Sequence, residues 1–265
     1  MISNIGWRKL QNLMRDCWIE NNAIQSNSSD LLYKEVVPGS IPILWFGDLE
    51  CYPNSEKRVV TIGINPSRKE FGQVHHNVFT PDLTLRFPIR KSLTVPNLDN
   101  YICAMSQYFR NNPLLQWFWP NEIALNACGS TYGGGKVKPY KNAVFSNVGL
   151  HIDVVSPLAT KPWGYLNSVE QKELIRRFKD VFIRLVKALD PDILISPVKL
   201  STYFPPFKRT SISTEKVSLK SGTYYVNKMK GNIGGKNRLV IEGWNGLIPF
   251  SFASKYDIYS AIHQF

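Results

Sequence analysis

The chain has 265 residues, of which 43% are hydrophobic and 20% charged, so it is too apolar for a disordered polyelectrolyte and can bury a core. Its 32 Lys and Arg residues against 20 Asp and Glu residues give a formal net charge of +12, which attracts polyanions, and nucleic acid is the leading partner. Solubility is a second explanation of this excess, although acidic charge serves solubility better.

The N-terminal segment and the cysteines exclude further classes. Residues 1–9 lack the apolar core of a signal peptide, and no apolar run is long enough to span a membrane. We therefore expect a cytoplasmic protein without membrane contact. The four cysteines are widely spaced and form no CxxC pair, so the sequence indicates reduced thiols and no metal site: Cys17, Cys51, Cys103 and Cys128.

Hydrophobic periodicity predicts helices that alternate with strands. Apolar side chains at helical spacing indicate helices, and short apolar runs bounded by turn residues indicate buried strands. The expected elements are, in chain order, a helix at 7–22, strands at 41–48 and 57–63, a helix at 97–118 broken at Pro113, a strand at 144–155, a helix at 169–189, strands at 192–196 and 238–242, a loop at 243–246 and a helix at 251–263.

Residues 203–237 interrupt this alternation. Two alternating runs flank Ser221 and Gly222, which predicts a β-hairpin insertion rich in basic residues. Either this hairpin contacts DNA, with Lys208 and Arg209 among the contacts, or its charges are solvated. The remaining pattern predicts a single α/β domain over 1–265, a three-layer αβα sandwich around a mostly parallel four-stranded sheet, with functional residues at the carboxyl ends of the strands.

The first motif follows the strand expected at 57–63 and consists of Gly63, Ile64, Asn65, Pro66 and Ser67. It resembles the water-activating loop of the uracil-DNA glycosylase superfamily, especially its mismatch-specific branch, where a glycine stands in place of Ser67. The resemblance implies that Asn65 orients a water towards the C1′ atom of the sugar. It also implies that Gly63, Ile64 and Pro66 border the extruded base and that Ser67 contacts DNA.

The second motif, around His151 and Asp153, resembles the second-strand segment of the same superfamily. The classical uracil enzymes carry there an Asn that reads the Watson–Crick edge of the base, and this chain carries Asp153. The resemblance implies that Asp153 reads the base and takes part in catalysis; a cap of a backbone turn is the alternative. Phe79 lies where a family aromatic stacks beneath the base, with a core Phe as the alternative.

The third motif, residues 242–247, occupies the place of the family loop that pinches the DNA backbone and wedges a side chain into the stack. The resemblance implies DNA contacts by Trp244, Asn245 and Leu247, while core packing is the alternative for Trp244 and Leu247. The family histidine of this loop is absent here. In the glycine-rich loop 129–138, which lacks a Walker pattern, Lys136 is a candidate phosphate contact.

Together these motifs imply a monomeric, monofunctional DNA glycosylase that needs no metal or organic cofactor and leaves an abasic site. A carboxylate at Asp153 accepts hydrogen bonds, which matches the N4 amine of cytosine better than the O4 of uracil. We therefore expect a modified cytosine as the substrate, such as glucosylated hydroxymethylcytosine of phage DNA. Uracil or mismatch repair and a catalytically silent DNA-binding module are the alternatives.

Overall fold

The structure is a computed structural model that describes residues 4–76, 78–82, 85–87, 94–204, 207–219, 222–245, 248–249 and 255–263. The α-helices are α1 (Asn4–Ser26), α2 (Val95–Ser106), α3 (Leu115–Ala127), α4 (Ser168–Phe178), α5 (Val181–Leu189), α6 (Leu200–Tyr203) and α7 (Lys255–His263). The strands are β1 (Val59–Gly63), β2 (Gly72–His75), β3 (Val78–Pro81), β4 (Ser130–Thr131), β5 (Asn147–Val148), β6 (Leu150–Asp153), β7 (Ile193–Ser196), β8 (Lys208–Leu219), β9 (Gly222–Ile233), β10 (Lys236–Asn245) and β11 (Ile248–Pro249).

The expected α/β architecture with a mostly parallel central sheet is confirmed. The sheet has seven strands instead of the expected four, because β8, β9 and β11 join its four parallel strands; its order is β6-β1-β7-β10-β9-β8, with β11 beside β10. Strands β6, β1, β7 and β10 run parallel, so their carboxyl ends share one edge of the sheet. The expected hairpin is β8 with β9, and it pairs antiparallel with β10. It therefore extends the central sheet.

Several boundaries differ from the sequence-based expectations. The strand expected at 41–48 is an extended segment with a single bridge, in which Phe46 and His151 exchange backbone hydrogen bonds of 2.9 and 3.0 Å. The helix expected at 169–189 is divided between α4 and α5. The loop expected at 243–246 is wrong over its first three residues, because β10 continues to Asn245 and pairs with β9 and β11.

The helices pack on the sheet and on one another through a large apolar core. Helix α1 lies against α5, whereas α3 lies against α7 and β1. The residues of β1, β6 and β7 are all buried, as expected for strands covered on both faces. This arrangement is compatible with a three-layer sandwich. Within the described ranges, no helix is both long and apolar enough to cross a membrane.

An ion-pair network joins the amino ends of β1, β7 and β10. The Asp190 carboxylate forms ion pairs with Arg58 at 3.1 Å, Lys236 at 3.1 Å and Arg238 at 2.9 Å. Arg238 is buried and also donates to the carbonyl oxygens of Pro191 and Ile233. Two basic residues near the end of the hairpin segment therefore stabilise the sheet at the edge opposite its carboxyl ends.

Candidate active site

A cavity of about 580 Å³ opens where β1 and β6 end. Three chain segments form its walls: the loop that follows β1, the segment that leads into α3, and the segment that follows β6. The described residues that line it are Phe46, Ile64, Asn65, Pro66, Ser67, Lys69, Glu70, Arg86, Pro113, Leu114, Leu115, Gln116, Trp117, Phe118, His151, Asp153, Lys161, Pro162 and Trp163. Its volume lies within the range of small-ligand sites, about 300–1,000 Å³.

Two of the lining residues, His151 and Asp153, belong to cross-strand pairs between β6 and β1. Thr61 of β1 lies opposite His151 of β6, and Gly63 lies opposite Asp153. Side chains two residues apart on a strand point to the same face, so all four positions share one face of the sheet. Since Gly63 has no side chain, the His151 ring and the Asp153 carboxylate occupy the space beside it.

His151 is held in a buried polar chain. Its Nδ1 atom lies 2.8 Å from the Thr61 hydroxyl, which in turn shares a short hydrogen bond with the Tyr132 hydroxyl. The rings of Phe46 and Phe118 pack against the imidazole in T-shaped arrangements, and only 1% of its surface is exposed. The ring therefore has one orientation, in which Nε2 faces the Asp153 carboxylate at 3.7 Å.

Asp153 is a buried carboxyl group that lines the cavity. Burial raises its pKa above the ordinary value of 3.8, and the neighbouring His151 opposes this rise. A carboxyl group in such surroundings can recognise a ligand edge as an acceptor or, when it is protonated, as a donor.

Asn65 is oriented by Thr160. The Thr160 hydroxyl donates to the Lys161 carbonyl oxygen at 2.8 Å, so it accepts from the Asn65 side-chain amide at 2.9 Å. The same Nδ2 group donates to the Pro66 carbonyl oxygen at 3.2 Å. Among the described residues no donor bonds to Asn65 Oδ1, which leaves this oxygen to accept from a water in the cavity.

Glu70 is a second buried carboxyl group in the lining, in the short 3-10 helix Arg68–Phe71. The Tyr108 hydroxyl donates to its two oxygens at 2.8 and 3.0 Å, and Arg86 Nε lies 3.6 Å away. Burial raises the pKa of Glu70 to about 8, while Arg86 and Tyr108 oppose the rise and Asp153 adds to it. Glu70 is therefore mostly protonated at neutral pH.

The mouth of the cavity combines exposed apolar side chains with positive charge. Leu115 and Trp117, at the start of α3, are each 45% exposed. Lys69 is exposed at the same opening, and Lys161 pairs with Glu35 at 2.7 Å. Trp117 offers an aromatic surface on which a base can stack, and Lys69 offers a cation at the same opening.

The structure brings one group of the predicted site residues together. Asn65, Ile64, Pro66, Ser67 and Asp153 all line the cavity, and Gly63 pairs with Asp153 across β1 and β6. Ser67 also caps the following 3-10 helix by accepting from the Lys69 amide at 3.2 Å.

Two further predicted residues, Phe79 and Lys136, are not among the described residues that line the cavity. Phe79 is in the β2–β3 hairpin, where it packs on Gly72 and carries the Arg68 guanidinium 5.2 Å above its ring, and it is not among the described lining residues. Lys136 is exposed in the glycine-rich loop, outside the described lining. Strand β10 contains Trp244 and Asn245, at the carboxyl edge of the sheet.

The basic pair of the hairpin lies at the other edge of the sheet. Lys208 and Arg209 pair with Asn232 and Gly231, which in turn pair with the first residues of β10. Their backbone is therefore at the edge that carries the amino ends of the parallel strands. Leu247 lies outside the described residues.

Nothing in the sequence indicated Glu70 as a site residue, and the sequence indicated His151 only as part of the second motif, without a role of its own. The spacing of His151 and Asp153 on a strand was a usable signal, because it places both side chains on one face. Glu70 gave no signal, since its burial depends on Tyr108 and on a turn that only the folded chain creates. Within the described part of the chain, no group of three or more His, Cys, Asp or Glu residues could hold a metal ion.

No family model matches this sequence, and no curated protein matches it. Functional assignment therefore depends on the residues of the cavity and on the resemblance of the motifs that border it.

Proposed function

We propose that this chain is a monofunctional DNA glycosylase with a fold of the uracil-DNA glycosylase type. It extrudes a pyrimidine nucleotide from DNA, binds it in the cavity and hydrolyses its N-glycosidic bond. The observation that carries the proposal is that Asn65, with its side-chain amide held by Thr160, lines the same cavity as the buried carboxyl group of Asp153.

Asn65 serves this reaction as a water-positioning group. An amide oxygen is a weak base, which suffices when the bond to the base breaks early and the sugar cation is the difficult species. Thr160 fixes the amide through its own bond to the Lys161 carbonyl oxygen, so the water-binding oxygen is oriented before the substrate arrives.

Asp153 supports a cytosine-type substrate. It occupies the position where the resemblance expects the residue that reads the base edge, and His151 holds it in the cavity wall. As a carboxylate it accepts from an exocyclic amine, which cytosine and its 5-substituted derivatives possess. We propose a modified cytosine, such as glucosylated hydroxymethylcytosine of phage DNA, as the substrate, and defence against phage as the role.

The cavity mouth supports DNA as the partner. Lys69 offers a cation for phosphate, and Leu115 and Trp117 offer exposed apolar surface close to the point where the base would leave the stack. Apolar side chains that enter the vacated space are the usual means by which proteins hold an extruded nucleotide. The net charge of +12 favours the same partner.

An abasic-site assay tests the proposal. Purified protein is incubated with end-labelled duplexes that contain one cytosine, hydroxymethylcytosine, glucosylated hydroxymethylcytosine, uracil or hypoxanthine, and alkali then cleaves any abasic site. We expect cleavage at the glucosylated base, and Asn65→Ala protein supplies the background. If the chain binds these duplexes and releases no base from any of them, it is a catalytically silent DNA-binding module.

Uracil repair is the second candidate, favoured by the raised pKa of Asp153. A protonated Asp153 could donate to the O4 of uracil. Cleavage of the uracil duplex alone would assign the chain to repair.

A further inference from the structure

We propose that Glu70 is a further catalytic residue, a carboxylic acid that gives its proton to the departing base. This inference rests on the proposed function and names the group that makes the base a good leaving group. The motif resemblance offered no such group, because the loop at residues 242–247 lacks the histidine of the family.

The geometry places Glu70 in the same wall as the water-positioning residue. Its side chain is 2% exposed and lines the cavity, and it follows Asn65 by five residues in the loop after β1. Tyr108 fixes the carboxyl group through bonds to its two oxygens. The Leu114 amide donates to the Tyr108 oxygen at 3.0 Å, so the phenolic proton points at Glu70.

Among the described residues, no cation fully compensates a negative charge on the Glu70 carboxyl group. Arg86 is the nearest cation at 3.6 Å, but its Nε and Nη1 atoms donate to the carbonyl oxygens of Asn112 and Lys69, each at 2.6 Å. Asp153 adds negative charge from β6. Lys69 and Lys161 also line the cavity. Burial therefore prevails, and the pKa of Glu70 near 8 leaves a proton available at neutral pH.

The reaction balances with one carboxyl group. As the bond between C1′ and N1 breaks, its electron pair goes to the base, and the Glu70 proton neutralises the base. The water held by Asn65 bonds to C1′, and its surplus proton returns to the Glu70 carboxylate. One water is consumed, a neutral base and an abasic sugar are formed, and Glu70 ends protonated as it began.

The test measures single-turnover base release against pH on the duplex that the wild-type protein cleaves. We expect the wild-type rate to fall as pH rises through about 8, because only protonated Glu70 is active. Glu70→Gln should lower the rate by about 10²–10⁴-fold and remove this alkaline limb, while the Kd for the duplex stays the same. Glu173→Gln, on α4 and outside the cavity, is the matched control and should keep the limb.

Tyr108→Phe gives a second, independent readout. The lost hydroxyl stabilises the charged form of Glu70, so its removal should move the alkaline limb to higher pH. The inference is overturned if the wild-type protein releases base and Glu70→Gln keeps its rate and pH profile, or if Tyr108→Phe leaves the limb in place. Failure of the wild-type protein to release any base would instead overturn the proposed function, and this inference with it.

Discussion

Gly63 stands directly opposite Asp153 across β1 and β6, and a Cβ atom at Gly63 would lie 2.2 Å from Asp153 Oδ1 and 2.8 Å from His151 Nε2. Both distances are far below van der Waals contact, so the carboxylate and the ring occupy the volume that any other residue would fill. A glycine is therefore required at residue 63, because the Asp153 carboxylate occupies the space that a side chain there would fill.

We predict that Gly63→Ala lowers base release and also destabilises the fold. The added methyl group must displace Asp153 or His151, and overpacking of this kind costs about 1–3 kcal/mol. The measurements are the Tm and the single-turnover rate. Gly164→Ala is the matched control, because a Cβ atom built there meets no atom within 4 Å apart from its chain neighbours. An unchanged rate in Gly63→Ala would separate Asp153 from the chemistry.

Asn65→Ala should lower turnover by roughly 10²-fold or more while the Kd for DNA stays nearly constant, since the side chain acts on water and not on phosphate. Turnover and a binding titration are measured on the same protein batch. Asn54→Ala, an exposed position outside the described cavity lining, serves as the control. Full turnover in the Asn65 variant would remove that residue from the mechanism.

Lys69→Ala should weaken binding to all DNA sequences alike and reduce the slope of log K against log salt by about 0.9 for the lost phosphate contact. Lys57→Ala, at the amino end of β1, is the matched control at the opposite edge of the sheet. If Lys69→Ala and Lys57→Ala give the same slope, the DNA does not contact the surface around Lys69. The same titration on a Lys208→Ala, Arg209→Ala protein decides whether that opposite edge also contacts DNA.

The buried Glu70 predicts a pH-dependent stability. Its pKa is raised from 4.5 to about 8 on folding, so its contribution is fully present below about pH 4.5 and is lost as pH rises through about 8. Glu70→Gln has no proton to lose there. As pH rises across this window, we therefore expect the free energy of unfolding to fall more in the wild-type protein than in Glu70→Gln. Denaturant unfolding at about pH 5 and about pH 9 checks the trend, and a constant difference would contradict it.

The sequence predicted β1 and β7 well because each is a short, mainly apolar run buried on both faces. Asn65 and Asp153 were predicted as site residues from the resemblance of their motifs, and the structure places both in the cavity lining at the carboxyl ends of neighbouring parallel strands. The continuation of β10 through Trp244 and Asn245 was missed, since it depends on pairing with β9 and β11. Glu70 was missed for the same reason: its environment consists of Tyr108 and Arg86, which only tertiary packing brings near.

Asp153 is the residue that we expect to determine the choice of base. An acceptor-only carboxylate favours a base that bears an amino group, whereas an amide can also donate to the O4 of uracil. We expect Asp153→Asn to change the ratio of the cleavage rates in favour of uracil-type over cytosine-type substrates. The change should correspond to ~1–3 kcal/mol in the difference between the two activation free energies, the usual value of one base-edge contact. Both rates are measured on one protein preparation, with the Tm as a check of folding.

The contact with His151 sharpens this test. His151 Nε2 lies 3.7 Å from Asp153 Oδ1, so an amide at residue 153 would meet the same imidazole with one oxygen and one nitrogen. His151→Gln removes the imidazole and leaves the Asp153 carboxylate. This variant therefore distinguishes a change in which base is cleaved from a displacement of the side chain at residue 153. If Asp153→Asn folds normally and both rates are unchanged, Asp153 caps the strand end and the cytosine assignment falls. If both rates vanish equally while His151→Gln keeps the substrate ratio of the wild type, Asp153 serves catalysis and does not choose the base.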